Sequence, residues 1–348
     1  MHAHGGPSNG SANGVADPTK QTGQYANHSD PSSSDVGTPL TNGYAQISPY
    51  QLHNEEIINH LYHSGFQNGN YADTILHVEP SVYRLHAIIL SRSPFLAHLM
   101  STTPQTTSQC NIYVHLEHEP EITQEGFAIA LGYLYSSVSL NLINPQNARA
   151  VLAAGCLLGG MDDLCNYAYE ICRQSITVDS IASWLDFVDA MPPSSDGNST
   201  PIEQHQLPPS RTAVFGPYAH RLKDDVFHFL VVTLPHMLNV GGLSTPVSPH
   251  PDGVQQADAG RETLLQVFAR VPFDLFKAAV ESPTFQIGSD QARFKFAKDA
   301  IELRKQGIAR GHGAEETVVL AFGGSNFGGS AVHITRKLRK RPLWKVNS

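Results

Sequence analysis

The sequence predicts an α+β domain, a small sheet capped by helices, followed by an all-α domain. Residues 74–78 are β-branched and aliphatic at strand length, and turn residues separate them from a second strand at residues 82–84. Apolar residues recur at helical spacing through most of residues 85–306. A hairpin followed by a series of amphipathic helices is typical of this two-part architecture.

Composition divides the chain further. Residues 1–50 are rich in Ser, Asn, Gly and Pro and predict disorder, because they cannot bury enough apolar area to offset the entropy of ordering. The α+β domain is predicted over 51–176 and the helical domain over 177–306. Within the helical domain, Pro/Ser/Gly-rich loops are predicted at 192–212 and 241–260. Residues 307–348 predict a Gly-rich hairpin, with strands at 317–322 and 331–335, and a basic tail.

Capping residues place the helices of the α+β domain. Gly65 is predicted to end an entering helix in the left-handed conformation. Ser93, followed by a proline, and Thr123 are predicted N-caps of two further helices. Alternating apolar residues predict strands at 111–116 and 138–142.

The same signals place helices in the second domain. Thr177 or Asp179 is predicted to begin a helix whose apolar stripe faces the domain's own core, and Pro235 to kink or end a later one. Ser289 is the predicted cap of the last helix, and Gly307 its end.

Composition and charge limit the classes of function. Of the 348 residues, 41% are apolar, and no apolar run reaches the roughly 18 residues that span a bilayer. The N-terminus lacks a signal sequence, so we expect a protein of the cytoplasm, the nucleus or both, with no membrane partner. Residues 1–200 hold 5 Lys/Arg against 18 Asp/Glu, and residues 201–348 hold 18 against 13. An acidic N-terminal half argues against nucleic-acid binding there, since contact with phosphates needs a basic surface.

Motifs for catalysis, metal or cofactor binding are absent from the sequence. It contains no nucleophile elbow, phosphate loop, zinc-protease helix or dinucleotide fingerprint. The four cysteines are not paired at zinc-binding spacings, and His115 and His118 should point to opposite faces of a strand. We expect neither an enzyme nor a bound cofactor, and we expect reduced, buried thiols.

The strongest signal is the order of Asp73, the string Leu-His-Ala-Ile-Ile-Leu at 85–90, and Ser-Arg-Ser-Pro-Phe at 91–95. This combination resembles the BTB/POZ domain. The resemblance covers about residues 66–176 and includes the FxxxLxYLY helix that ends at Tyr135. In composition, the architecture with its long low-complexity loops resembles fungal proteins of this family. Its motif residues are Asp73, His86, Leu90, Ser93, Phe95 and Tyr135. The later helices resemble a divergent BACK-type extension.

The resemblance implies a homodimer, a structural role for His86 and one of two wider functions. One function is a substrate adaptor for a cullin-3-type ubiquitin ligase scaffold. The other is a transcription or chromatin regulator that recruits co-repressors. A hydrolase or transferase in the second domain is a third alternative, without any catalytic constellation to support it. The expected dimer interface comprises Ile57, Ile58, Leu61, Leu85, Ile88 and Ile89.

Two departures from the family pattern bear on these roles. In the co-repressor branch of the family, the aspartate that corresponds to Asp73 pairs with a basic residue. That residue directly follows the histidine that corresponds to His86, and this chain has Ala87 there. We therefore expect Asp73 to bond backbone N–H groups instead. Cullin-binding members carry an acidic residue in the stretch that corresponds to residues 99–109, which here has none.

The basic run near the C-terminus has three open interpretations: a nuclear import signal, a phosphate-binding patch, or a solvated chain end. Its residues as a possible nuclear signal are Arg336, Lys337, Arg339, Lys340 and Arg341.

Overall fold

The computed structural model describes residues 48–103, 109–192, 210–240, 252–308, 316–322 and 332–338. These residues lie in one compact unit that runs from Ser48. The disorder predicted for residues 1–50 falls, except for 48–50, outside the described residues.

A three-stranded mixed sheet forms the centre of the first half. Its strands are β1 (Thr74–Val78), β2 (Ser81–Leu85) and β3 (Cys110–Val114), in the order β2-β1-β3. β1 pairs antiparallel with β2 through a tight turn and parallel with β3, so that Leu76 lies opposite Tyr83 and Ile112. The predicted hairpin is confirmed. Alternate β1 residues are buried, which gives the sheet one face against the helices.

Helices surround this sheet. They are α1 (Pro49–His60), α2 (Ala87–Leu90), α3 (Pro94–Thr102), α4 (Gln124–Tyr135), α5 (Ala148–Leu158) and α6 (Asp162–Gln174). Both predicted caps are confirmed: Ser93 Oγ accepts from Leu96 N–H at 3.2 Å, and Thr123 Oγ1 accepts from Gly126 N–H at 3.1 Å. α4 and α5 each bury eight residues and pack against each other, so this pair forms the helical core of the first half.

The second half is mainly helical. Its helices are α7 (Ile181–Asp189), α8 (Pro217–His228), α9 (Leu234–Met237), α10 (Asp252–Arg270), α11 (Phe273–Glu281) and α12 (Asp290–Ile308). A π-helical turn at Phe229–Thr233 joins α8 to α9, so Pro235 lies in the first turn of a short last segment rather than breaking a continuous α-helix. Phe268 contacts Phe276, Phe285 and Phe296 at ring-centroid distances of 6.3, 5.1 and 5.2 Å, which makes an aromatic core.

A β-hairpin packs on these helices, so this half is not purely α-helical. Strands β4 (Glu316–Phe322) and β5 (Val332–Leu338) pair antiparallel. Val332 and Ile334 are buried, and Ile334 N–H donates to Glu281 Oε1 of α11 at 2.7 Å. The predicted hairpin is confirmed, but it is part of the helical core rather than an appendage.

Two predictions in the first half are wrong for reasons of close packing. Residues 137–142 form a 3₁₀ helix rather than a strand, and a side chain on Gly132 would lie 2.5 Å from Ser139 Oγ, so the turn fits tightly against α4. Gly65 does not end the first helix, which continues as a π-helical turn over Leu61–Gln67. It is buried inside that turn beside His86 and Tyr135, whose nearest atoms would lie at ordinary contact distances of 3.4 and 3.5 Å from an added Cβ.

Three predictions in the second half are also corrected. α7 begins after Ser180 rather than at Thr177 or Asp179. The loop predicted at 241–260 ends earlier because α10 starts at Asp252. Gly260 lies inside that helix and lets it pass close to the Leu238 carbonyl, whose oxygen would be 2.3 Å from an added Cβ. α12 continues one residue beyond Gly307.

A buried carboxylate links the two halves. Glu121 is 6% exposed, and its oxygens lie 2.9 Å from Arg149 Nε and 3.0 Å from Arg211 Nε. The Arg149 guanidinium lies 5.6 Å from the Trp184 ring centroid and 5.5 Å from that of Phe187. Charge and cation–π contacts therefore join α5 to α7 and to the segment before α8.

Candidate protein-interaction surface

Helix α1 presents apolar side chains to solvent. None of its residues is buried, and Ile57 and Ile58 are 46% and 38% exposed. Tyr50 and Leu52 on the same helix are 80% and 48% exposed. A helix that leaves large apolar side chains in water is typical of a surface that another protein covers.

Tyr71 and Ile88 extend the exposed apolar surface near β1 and α2. Tyr71 is 93% exposed and has a φ of 61°, which a non-glycine residue rarely adopts. Ile88 is 78% exposed. Strained backbone that holds an aromatic ring in solvent, as at Tyr71, is typical of a residue that contacts another molecule. Asn68, Gly69 and Asn70, directly before Tyr71, mark a turn in the sequence, but they do not single out Tyr71 as a residue with positive φ.

The residues predicted for the dimer interface fall into three groups. Ile57, Ile58 and Ile88 are exposed, while Leu61 and Ile89 are partly buried and pack against the core. Leu85 ends β2 and has no exposed surface, so it belongs to the domain's own core. The helical spacing that grouped Leu85 with Ile88 starts only at Ala87.

His86 stands between β2 and α2 and uses both ring nitrogens. Nε2 lies 2.9 Å from the Asn70 carbonyl oxygen, and Nδ1 lies 3.0 Å from the Tyr135 hydroxyl. Because a carbonyl only accepts, Nε2 carries a proton, and in the tautomer with a bare Nδ1 that nitrogen accepts from the Tyr135 O–H. The same hydroxyl accepts from His86 N–H at 2.9 Å. Burial raises the Tyr135 pKa well above its usual range, so this O–H stays a donor.

Asp73 bonds to backbone, as predicted. Its Oδ1 accepts from Ala87 N–H at 2.7 Å and from Thr74 Oγ1 at 2.9 Å. No ion pair joins it to Arg84 or Arg92 among the described residues. The carboxylate therefore fixes the start of α2, beside the exposed Ile88.

Other motif residues hold α3 in place. Ser93 Oγ donates to the Leu158 carbonyl at 2.5 Å, which ties the start of α3 to the end of α5. Arg92 donates to the Leu134 carbonyl of α4. Leu90 is fully buried and Phe95 packs against the core. These residues support the surface and do not form part of it.

The stretch that corresponds to the cullin-binding element is described only in part. Residues 104–108 lie outside the described residues, and the described part has Leu99 and Met100 partly buried. Ile181, Trp184 and Leu185 of α7 are at most 5% exposed and face the protein's own core, as predicted.

Metal clusters and membrane-spanning helices are absent from the described part of the chain. In the described ranges, no group of three or more His, Cys, Asp or Glu side chains could hold a metal ion, and no helix is long and apolar enough to cross a membrane. Arg336 and Lys337 lie in β5, whereas residues 339–341 lie outside the described residues.

Comparison with known proteins agrees with the motif. A family model for the BTB/POZ domain matches residues 62–175. BTB/POZ domain-containing protein 2 of Schizosaccharomyces pombe is 28% identical over 295 residues, which cover 83% of this chain and 90% of that protein. Human germ cell-less protein-like 2 is 26% identical over 130 residues, which cover 37% of this chain and 24% of that protein. These matches agree with the mixed sheet, the surrounding helices and the Asp73–Ala87 and His86–Tyr135 contacts. Residues 62–175 therefore form a BTB/POZ domain, which is a protein-interaction module.

Proposed function

We propose that this protein is a self-associating adaptor, in which two copies pair through α1 and the neighbouring start of α2. The observation that carries this proposal is the exposed apolar face of α1, from which Ile57 and Ile58 project. Ile88 and Tyr71 supply further exposed apolar area near the start of α2. Covering these side chains with a second copy removes apolar surface from water.

Sedimentation of the full chain tests the pairing. We expect a dimer at tens of micromolar, and Ile57→Asp combined with Ile58→Asp should weaken it at least about 30-fold, the effect of losing about 2 kcal/mol at a hot spot. Leu142→Asp is the matched control because Leu142 is also an exposed aliphatic residue, at 51%, in the 3₁₀ helix after α4. A wild-type monomer, or equal loss in both variants, contradicts the proposal.

The complex that we propose for this adaptor is a cullin-3-type ubiquitin ligase with an unknown substrate. The helical region after residue 176, which we interpret as BACK-like, favours this role. Because α7 buries its apolar face and the 99–109 stretch has no acidic residue, we expect a dissociation constant weaker than about 10 µM. Calorimetry of the full chain against the N-terminal part of the scaffold measures it. Nanomolar affinity would show that the missing acidic residue does not predict cullin affinity. If mixing at high concentration releases no heat of binding, the cullin-adaptor role is refuted.

The second candidate is a transcription or chromatin regulator in the nucleus, favoured by the basic run from Arg336. Against it, Asp73 is satisfied by backbone and lacks the basic partner of the co-repressor branch. Imaging of the tagged chain with Arg339, Lys340 and Arg341 replaced by alanine separates the candidates. Loss of nuclear signal favours the regulator, and unchanged cytoplasmic signal favours the adaptor.

A further inference from the structure

A polar cavity of about 760 Å³ lies where the two halves of the chain meet. Its walls come from the loop before α4, the first turns of α5 and α7, the end of α6, and Arg211 in the segment before α8. A volume in this range accommodates a ligand the size of a few amino-acid residues. The buried Glu121 and its two arginines form part of the wall.

The cavity has an excess of positive charge. Of the described residues that line it, the charged ones are Glu121, Arg149 and Arg211. One carboxylate is shared by two guanidinium groups, so one positive charge stays uncompensated. The surroundings are acidic, since residues 1–200 hold 5 Lys/Arg against 18 Asp/Glu. This cavity therefore favours a ligand with a single negative charge.

Both guanidinium groups have hydrogen-bond donors left for a ligand. Arg149 donates from Nε to Glu121 at 2.9 Å and from Nη1 to Ser183 Oγ at 3.3 Å. Arg211 donates from Nε to Glu121 at 3.0 Å and from Nη2 to the Asp186 carbonyl oxygen at 3.4 Å. A guanidinium carries five N–H groups. Within the described part of the chain, the remaining N–H groups of these two arginines have no protein acceptor.

Arg149 is held in position before any ligand arrives. Glu121 fixes one edge of its guanidinium, and the ring centroids of Trp184 and Phe187 lie 5.6 and 5.5 Å from it. A side chain that is already ordered loses little conformational entropy on binding. The bridge thus leaves a pre-positioned cation at the wall of an open cavity.

Uncharged polar side chains complete the lining. Gln146 and Gln174 are exposed at the cavity, and their side-chain amides make no hydrogen bond to the described residues. Pro120 and Pro145 add apolar wall. An extended peptide needs partners for its backbone N–H and C=O groups, which side-chain amides can supply, whereas a helix satisfies its own. The lining therefore fits an extended segment of protein.

We propose that this cavity binds an extended segment of a partner protein through the side-chain carboxylate of one Asp or Glu residue. Arg149 and Arg211 hold that carboxylate together, with the N–H groups that Glu121 leaves unused. This site is separate from the exposed face of α1, and it does not depend on the pairing of two copies.

The charge at the cavity favours a carboxylate over a phosphorylated residue. A carboxylate adds one negative charge and neutralises the excess positive charge. A phosphoserine adds about 1.5 to 2 negative charges at pH 7. The second charge would meet the Glu121 carboxylate on the far side of the arginines, where like charges repel.

An array of short peptides with blocked ends tests the proposal on the full chain. The central residue is Asp, Glu, Gln, Lys or phosphoserine, and the other positions are random. At physiological ionic strength, the Asp and Glu pools should retain at least about 10-fold more protein than the Gln pool, because charge-assisted hydrogen bonds are the stronger ones. Arg211→Met should lower this ratio to below about 3-fold.

Two further variants separate the site from general charge effects. Arg211→Lys keeps the charge but loses the planar fork, so its ratio should lie between those of wild type and Arg211→Met. Arg261→Met is the matched control and should keep the wild-type ratio. Arg261 is also a partly exposed arginine paired with a carboxylate, 2.8 Å from Asp299, but it lies in α10 outside the cavity.

Hydrogen exchange then locates the acidic peptide that binds best. Exchange should slow over residues 174–184 and stay unchanged over α1. Four results overturn the proposal: equal retention of wild type on the Glu and Gln pools, the same loss in Arg261→Met as in Arg211→Met, a phosphoserine pool that exceeds the Glu pool, or slowed exchange on α1 alone.

Discussion

Replacing Glu121 by glutamine should lower the free energy of unfolding by about 2 kcal/mol, because two arginines lose their anion. The Glu121 side chain is 6% exposed, and Arg149 is 29% exposed. Rings of Trp184 and Phe187 lie within 6 Å of the Arg149 guanidinium, at 5.6 and 5.5 Å, so water cannot fully replace the carboxylate. Arg211 is 40% exposed and can be rehydrated.

The magnitude lies between two limits. Breaking a fully buried ion pair costs about 3–5 kcal/mol, and breaking an exposed one costs about 0–1 kcal/mol. The Glu121–Arg149 pair is intermediate, since one partner is buried and the other partly solvated. Glutamine also retains a neutral acceptor. These considerations give about 2 kcal/mol for Glu121→Gln and about 0.5 kcal/mol for Arg211→Met.

Urea unfolding followed by tryptophan fluorescence is the assay, with Arg149→Met to complete a double-mutant cycle. Methionine keeps the packing of the arginine stem against the rings while removing its charge. We expect a coupling free energy between positions 121 and 149 of at least about 1 kcal/mol. A Glu121→Gln protein within about 0.5 kcal/mol of wild type, or a coupling near zero, would refute the reasoning.

Three other predictions concern buried contacts. Tyr135→Phe should cost about 1–3 kcal/mol in urea unfolding, because the His86 N–H and Nδ1 both lose their partner. Gly126→Ala should cost a similar amount, about 1–3 kcal/mol, because the new Cβ would lie 2.7 Å from the Ala150 backbone. Burial and the neighbouring Asp225 raise the Tyr169 pKa to about 12, while an unfolded tyrosine ionises near 10. The unfolded chain then binds fewer protons, so stability falls as pH rises from about 10 to 12, and Tyr169→Phe should make that fall shallower.

Each of these predictions has its own contrary result. Tyr135→Phe with wild-type stability would mean that water replaces the hydroxyl. Gly126→Ala with unchanged stability would mean that α4 and α5 can separate at no cost. A Tyr169→Phe protein with the same alkaline slope as wild type would assign the effect to other tyrosines.

Local patterns in the sequence predicted the parts of the fold that local chemistry determines. The turn after β1 and the caps Ser93 and Thr123 depend on neighbours within four residues, and all of them are confirmed. Gly65 and the 138–142 segment misled the prediction because their conformations depend on distant packing. A glycine buried inside a π-helical turn has the same sequence signal as a glycine that ends a helix.

Contacts between distant residues could not be predicted. His86 and Tyr135 were known from the family motif, but their hydrogen bond spans 49 residues and needs the folded sheet. The Glu121 bridge had no signal in the sequence, since it depends on which side of α5 packs against α7. Solvent exposure could not be predicted either. Leu85 and Ile88 are both aliphatic residues of the same motif, yet Leu85 is fully buried and Ile88 is 78% exposed.

The bridge through Glu121 limits how freely the two halves of this chain can be exchanged during evolution. A BTB/POZ domain moved onto a different helical region would keep Glu121 and Arg149 but lose Arg211 and the rings of Trp184 and Phe187. The buried Glu121 carboxylate would then have one arginine partner instead of two, and its burial would destabilise the fold. Positions 121, 149 and 211 should therefore change together among descendants of this protein, and the halves should be inherited as a pair.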